Sequence, residues 1–309
     1  MALPRVRDPL TVITGLCGLL PVGALLAWTL GLGSFRTWFL IVGVPALLAL
    51  VFIGFRVAPR RDRLQYALSG GIVGGLAGTL AYDLVRVPVD ISGVRVFSPI
   101  ESYGVLLTGA STSSTFTDLA GWSFHFVNGI GFGIAYAMVA LGRNKWWAVG
   151  WAMVLETVTI VTPFAATYGL AGKYHLIAIA YAAHVAYGLP LGMVVRYAAD
   201  NPPSLRVAGG MVGALVVSLV VLNSPFELPG GPEVTIRNGR MTPEWLRVEV
   251  GGCATFYNDA LTSTIAVADG DPVLKPEETR RLCFSDPGVH RVRLNDEPYS
   301  GGFVIVDPN

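Results

Sequence analysis

Four ionisable side chains, Asp83, His125, Glu156 and His184, fall inside stretches that are otherwise apolar enough to cross a bilayer. An ionisable group left unpaired in hydrocarbon costs on the order of several kcal/mol, so its presence there marks a site by default. Two imidazoles and two carboxylates on four helices form a donor set suited to Zn, Fe or Mn, and helix bundles build metal sites from inward-facing residues of this kind. The expected ligands are His125, His184 and Glu156, with Asp83 as a fourth ligand or as the group that orients one of them. Asn128, one turn from His125, is expected to hydrogen-bond within the same pocket. No lysine or arginine lies at the depth of Glu156, so its charge calls for a divalent metal or a protonated histidine.

Two other readings of these residues stay open. One is a bis-histidine haem between His125 and His184. Each histidine is followed by glycines at four-residue steps, Gly129 and Gly133 after the first and Gly188 and Gly192 after the second, which would leave room for a flat ring. The other is a hydrogen-bonded network that fixes helix register or lines a small pathway. No catalytic residue is indicated. There is no Ser-His-Asp set and no P-loop, and the glycine rows follow no strand as a dinucleotide motif requires.

The elements that must position these groups follow from composition and pattern. The 309 residues are 52% hydrophobic and 14% charged, with a mean hydropathy of +0.55, whereas soluble domains are about a quarter charged. A net charge of +1 offers no reason to expect nucleic acid. The average conceals a division: residues 230–309 hold twelve of the 21 acids and eight of the 22 bases. We therefore expect a transmembrane domain over 1–224 and a polar domain over 225–309.

Seven apolar runs can be delimited, at about 10–31, 37–56, 66–86, 119–142, 146–168, 174–196 and 206–223. The first is too long for a signal-peptide core and lacks a small-residue cleavage site, so it is expected to be retained. With the N-terminus inside, inner segments carry ten Lys or Arg and outer segments four, a positive-inside bias. This describes a multi-pass protein of the plasma membrane with its C-terminal domain outside.

Within the third run Gly70, Gly74 and Gly78 form one row and Gly71 and Gly75 another, the pattern of a helix built for close packing. Asp83 and Arg86 stand one turn apart near its end and read as an ion pair at the headgroup boundary. Runs three to six form two similar hairpins, each with an acid on the outward helix and His-x3-Gly-x3-Gly on the inward one, as in parallel transporter repeats. In the loop over 87–118, Ser98, Pro99 and Glu101 signal a helix start, expected to lie as a lid in the outer interface. The STSST tract after it reads as a solvated linker.

Beyond Pro225 the pattern changes to short alternating strands, a small β-sandwich. The order VTIRNG, TPEWLRVEVG, TFYND, LKPEETRRLCFSDPGVHRV and GGFVIVD resembles the cupredoxin family, over roughly the last 75 residues. Copper-binding members carry a histidine after the Asn-Asp turn and a Cys, His and Met set before the last strand. The matching positions here hold Ser263, Leu294, Glu297 and Ser300, and His290 falls outside the pattern. The resemblance thus implies the fold and argues against type 1 copper, and the domain reads as a copper-less binding or docking module whose expected partner is another subunit of a membrane complex. Alternation places Phe256 and Phe284 inside the sandwich and Cys253 and Cys283 on its outer face, where an oxidising compartment favours a disulfide. Cys17, inside the first run, is expected to stay a buried thiol.

Two function classes follow: a membrane metalloprotein, or a non-catalytic subunit anchored by the bundle. The charge count makes a direct prediction. A reporter fused at Asn309 should be active only when it requires export, and activity confined to the cytoplasmic side would reject the orientation.

Overall fold

The computed structural model describes residues 8–92, 98–168, 170, 172–225, 227–228, 231, 233–237, 240–259, 265–267, 274–294 and 297–307. The N-terminal part is helical. α1 (Pro9–Thr29) starts at Asp8, whose side chain accepts from the Leu10 N–H. α2 (Phe35–Trp38) and α3 (Val44–Phe52) are joined by a π-turn over Phe39–Gly43 into one apolar rod that extends to Arg60. α4 (Asp62–Ile91) is followed by α5 (Ser98–Thr108), α6 (Thr115–Ala140), α7 (Trp146–Val161), α8 (Pro163–Thr167), α9 (Tyr174–Ala198) and α10 (Leu205–Leu222).

Six of these helices are long and apolar enough to cross a membrane. The exception is the run at 146–168, which Pro163 divides. Thr162 is extended, with φ −92° and ψ 168°, because a residue preceding proline is pushed out of the helical region. That leaves a 16-residue α7 and the short α8. Large apolar side chains such as Leu48, Phe52 and Phe55 on the α3 side and Val217 and Val221 on α10 are exposed.

α4 is the centre of the bundle. Its row Gly70, Gly74 and Gly78 faces α9, and its row Gly71 and Gly75 faces α6. A Cβ built at Gly78 would stand 2.8 Å from the Tyr187 carbonyl oxygen, and one at Gly75 would stand 2.6 Å from that of Gly129. Only a residue without a side chain allows these backbones so close. Gly188 and Gly192 of α9 meet α7 in the same way, at Val149 and Lys145.

The C-terminal part is one continuous curled sheet of seven strands in the order β4-β6-β7-β2-β1-β3-β5. They are β1 (Glu233–Arg237), β2 (Arg240–Glu249), β3 (Cys253–Asn258), β4 (Ile265–Val267), β5 (Thr279–Cys283), β6 (Gly288–Leu294) and β7 (Glu297–Asp307). The expected two-sheet sandwich is thus a single ladder that curls around its own core of Ile236, Leu246, Phe256, Leu274, Val304 and neighbours. Cys253 and Cys283 are directly opposed on β3 and β5 and form a disulfide. Phe256 and Phe284 are buried while the two cysteines lie on the other side of their strands, as strand alternation demands. Cys17 is a buried free thiol.

The sheet docks on the bundle by the same period of two. On β2, Leu246 and Val248 enter the sheet's own core, whereas Trp245 and Arg247 turn to the helices. On β7, Val304 and Val306 go inward while Ile305 and Asp307 face the bundle. Trp245 stacks on Phe303, with centroids 4.4 Å apart, and its Nε1 donates to Glu101 of α5 at 3.1 Å. Asp307, only 3% exposed, accepts from Trp28 Nε1 at 3.2 Å and from the Arg247 guanidinium at 2.9 Å. Arg247 also donates to the carbonyls of Gly109 and Ala110.

Two expectations for the 87–118 loop change here. α5 is no lid: Ile100, Tyr103, Val105 and Leu106 are buried, and Gly104 of α5 meets α6 at Gly121. Burial also pushes the Tyr103 hydroxyl well above its usual pKa. The STSST tract is no solvated linker either. Ser113 N–H donates to Trp245 O at 2.8 Å, Arg247 N–H donates to Ser111 O at 2.7 Å, and Thr112 is fully buried. The tract satisfies backbone groups of β2 that water would otherwise have to reach.

Arg247 ties β2 to the bundle through the Gly109 and Ala110 carbonyls and pairs with the buried Asp307 carboxylate, and losing one partner of a buried ion pair costs up to about 3 kcal/mol. Arg247→Ala should therefore loosen the sheet from the bundle, read as faster protease cleavage between residues 223 and 233. Unchanged cleavage would show that Arg247 does not hold the interface.

Candidate functional site

The sequence-predicted residues come together as two pairs. His125 Nε2 lies 3.0 Å from Asp83 Oδ1 and 3.2 Å from Oδ2, linking α6 to α4. His184 Nδ1 lies 3.2 Å from Glu156 Oε2, linking α9 to α7. The same Nδ1 donates to the Ala180 carbonyl one turn back at 2.9 Å. A carbonyl can only accept, so this nitrogen carries the proton. In the neutral ring Nε2 is then the unprotonated nitrogen. Side-chain exposure is 15% and 14% for His125 and Asp83, and 16% and 4% for His184 and Glu156.

Tyr82, next to Asp83 on α4, separates the pairs. Its ring lies 5.9 Å from that of His125 and 5.0 Å from that of His184, the latter edge-on. The Arg86 guanidinium sits over the Tyr82 ring at 5.1 Å, close enough for a cation–π contact. Trp122 meets His125 edge-on at 5.8 Å. The boundary ion pair expected between Asp83 and Arg86 thus gives way to a wider arrangement, in which Asp83 reaches His125 and Arg86 covers the tyrosine.

Helix packing explains this placement. The glycine rows of α4 bring α6 and α9 onto its two sides, so one imidazole arrives on each side of Tyr82. The close approach of α7 to α9 then carries Glu156 to His184. Sequence reasoning passed over Tyr82, Trp28, Trp245, Arg247 and Asp307. Of these only Tyr82 had a signal, its position beside Asp83 between two glycine-packed helices.

Other expectations fare differently. Among the described residues, no group of three or more His, Cys, Asp or Glu side chains is placed to hold a metal ion. The four candidate ligands are divided into pairs by the Tyr82 ring. Asn128 is buried, and its Oδ1 has no hydrogen-bond partner among the described residues, so it does not serve the pocket in the expected way. The room for a haem ring beside Gly129, Gly133, Gly188 and Gly192 is taken by facing helices, where Thr79, Gly71, Val149 and Lys145 stand.

Comparison with known proteins bears on the sheet domain. No protein-family model matches the chain, and no curated protein matches it. Solved structures similar to it include a purple cupredoxin from Nitrosopumilus maritimus, 23% identical over 24% of this chain and 97% of that one, with a TM-score of 0.21. A Cu-containing nitrite reductase from Thermus scotoductus is 21% identical over 26% of this chain and 23% of that one, with a TM-score of 0.22. A reduced Cu(I) form of an amicyanin mutant is 24% identical over 26% of this chain and 85% of that one, also at 0.22.

The residues of the sheet domain do not offer the ligand set of type 1 copper. Type 1 copper takes a thiolate and two imidazoles. Both thiols of this domain are joined in the disulfide, and its one histidine, His290, donates Nε2–H to the Asp286 carbonyl at 2.7 Å. Leu294, Glu297 and Ser300 lie on β6 and β7, and Ser263 lies outside the described residues.

The pairing predicts an energetic coupling. His184→Ala strands Glu156, which is 3% exposed, and should lower stability by about 1–3 kcal/mol. Glu156→Gln in the same chain should recover part of that loss, giving a double-mutant coupling of about 1 kcal/mol or more. Additive losses in thermal unfolding would show that the two do not interact.

Proposed function

We propose that the chain is a plasma-membrane protein with seven crossings, its N-terminus in the cytoplasm, that takes up and releases protons at a His/carboxylate centre in the outer half of the bundle. Its β domain is a copper-less docking module for another subunit of a membrane complex. The observation that carries this reading is the pairing of each intramembrane histidine with its own carboxylate on opposite sides of Tyr82. A lone carboxylate in hydrocarbon must be neutralised. Beside an imidazole it is neutralised when the pair takes up one proton, held on the carboxyl or as a second ring proton, and the pair has no net charge either way. Gaining or losing that proton changes the charge of a group held between two helices, which couples proton occupancy to helix position. The tightly docked sheet supports the second half of the reading, since a movement at the helix ends reaches it through Trp28 and Asp307.

A divalent metal is the second reading. Each imidazole is held by its carboxylate through one nitrogen, the way metal-binding histidines are oriented. His125 Nδ1 and His184 Nε2 would then be the nitrogens available to Zn, Fe or Mn.

Infrared difference spectra of the full chain in lipid, recorded on acidification, separate these readings. Carboxyl protonation bands that vanish in Asp83→Asn and Glu156→Gln are expected. Spectra unchanged by both variants would end the proton reading. Stoichiometric Zn, Fe or Mn in the purified chain, lost in His125→Ala/His184→Ala, would put the metal reading in its place.

A further inference from the structure

At the opposite end of the bundle from the sheet, a cleft of about 490 Å³ opens between the start of α7 and the end of α9. Lys145 and Arg196 line it, together with Asn144 and Asn201. Among the described residues neither cation lies within ion-pair distance of a carboxylate, although Asp200 shares the wall. Lys145 instead rests against the Trp146 ring, with Nζ 5.4 Å from its centroid. Trp146 and Tyr197 border the cleft at 60% and 66% exposure, and Met193 gives it an apolar wall.

These features define a ligand by its chemistry. Tryptophan and tyrosine are the residues that sit at headgroup level. Two cations at that level, without carboxylate partners and with two side-chain amides beside them, form an anion site with hydrogen-bond donors. Basic pockets between membrane helices on the cytoplasmic side receive lipid headgroups of this kind. Half-exposed Met193 on its wall offers an apolar surface for the glycerol and upper acyl region. We infer that this cleft binds the phosphate of an anionic phospholipid headgroup, with Lys145 and Arg196 as its charge partners and Trp146 and Tyr197 as its walls. Asp200 on the rim disfavours a second negative charge and so favours a monoanionic headgroup over a polyphosphorylated one.

The test uses the full chain purified in a neutral detergent and presented with phosphatidylglycerol or phosphatidylcholine, bound lipid being counted by native mass spectrometry. Phosphatidylglycerol should be retained in preference to phosphatidylcholine. That preference should fall by roughly fivefold for each cation removed, as expected for about 1 kcal/mol per charge, in Lys145→Gln and Arg196→Gln. Arg206→Gln removes the same charge from an exposed position at the same end and outside the cleft, and should leave the preference unchanged. Equal retention of the two lipids, or an equal loss in all three variants, would overturn the proposal. Displacement of phosphatidylglycerol by millimolar inorganic phosphate would overturn the lipid assignment in favour of a soluble phosphate.

Discussion

The close approach of α4 to its two neighbours is the constraint on which the remainder of this structure depends. Helices apolar enough to cross a membrane gain contact with one another chiefly by packing backbones tightly. Two glycine rows on one helix bring α6 to one side and α9 to the other, with spacings that no side chain could occupy. A third glycine contact seats α9 on α7. Substituting a large residue at Gly75 or Gly78 would push apart the helices that carry His125 and His184, and with them the polar centre.

The polar centre is thus a consequence of packing as much as of the residues that form it. Each histidine is compensated by a carboxylate from a neighbouring helix, which keeps two pairs of polar groups satisfied where water is scarce. The two hairpins use the same device, an acid on the first helix and a histidine on the second, and Tyr82 is the point at which they meet. Asn128, buried with an oxygen that accepts nothing among the described residues, is the one polar group of the set that packing does not provide for.

The interface between bundle and sheet follows a different rule. Here a strand with side chains on both faces is buried on both. Leu246 and Val248 serve the sheet's own core, and Trp245 and Arg247 serve the helices. The tract 111–113 completes the backbone hydrogen bonds of β2. A sheet exposed on both faces would be an independent module; this one has one face buried against the helices.

Much of this was written in local pattern. Apolar runs, glycine rows, strand alternation and the opposed cysteines each arise from a period of 3.6 or 2, which a linear sequence displays. The identity of the four ionisable residues, the helix start at Ser98 and the disulfide were legible for that reason. The pairing among those residues was not, because it depends on which helix lies against which, and composition does not encode a contact across forty residues. The same applies to Trp28 with Asp307, separated by 279 positions, and to the STSST tract, whose polar residues look solvated until β2 is laid beside them. The sequence by itself determined an apolar helical domain, a polar β domain and the chemistry available between them. Only the tertiary structure decided that the imidazoles bind carboxylates in two pairs around Tyr82, because two glycine rows on α4 admit one histidine-bearing helix to each side.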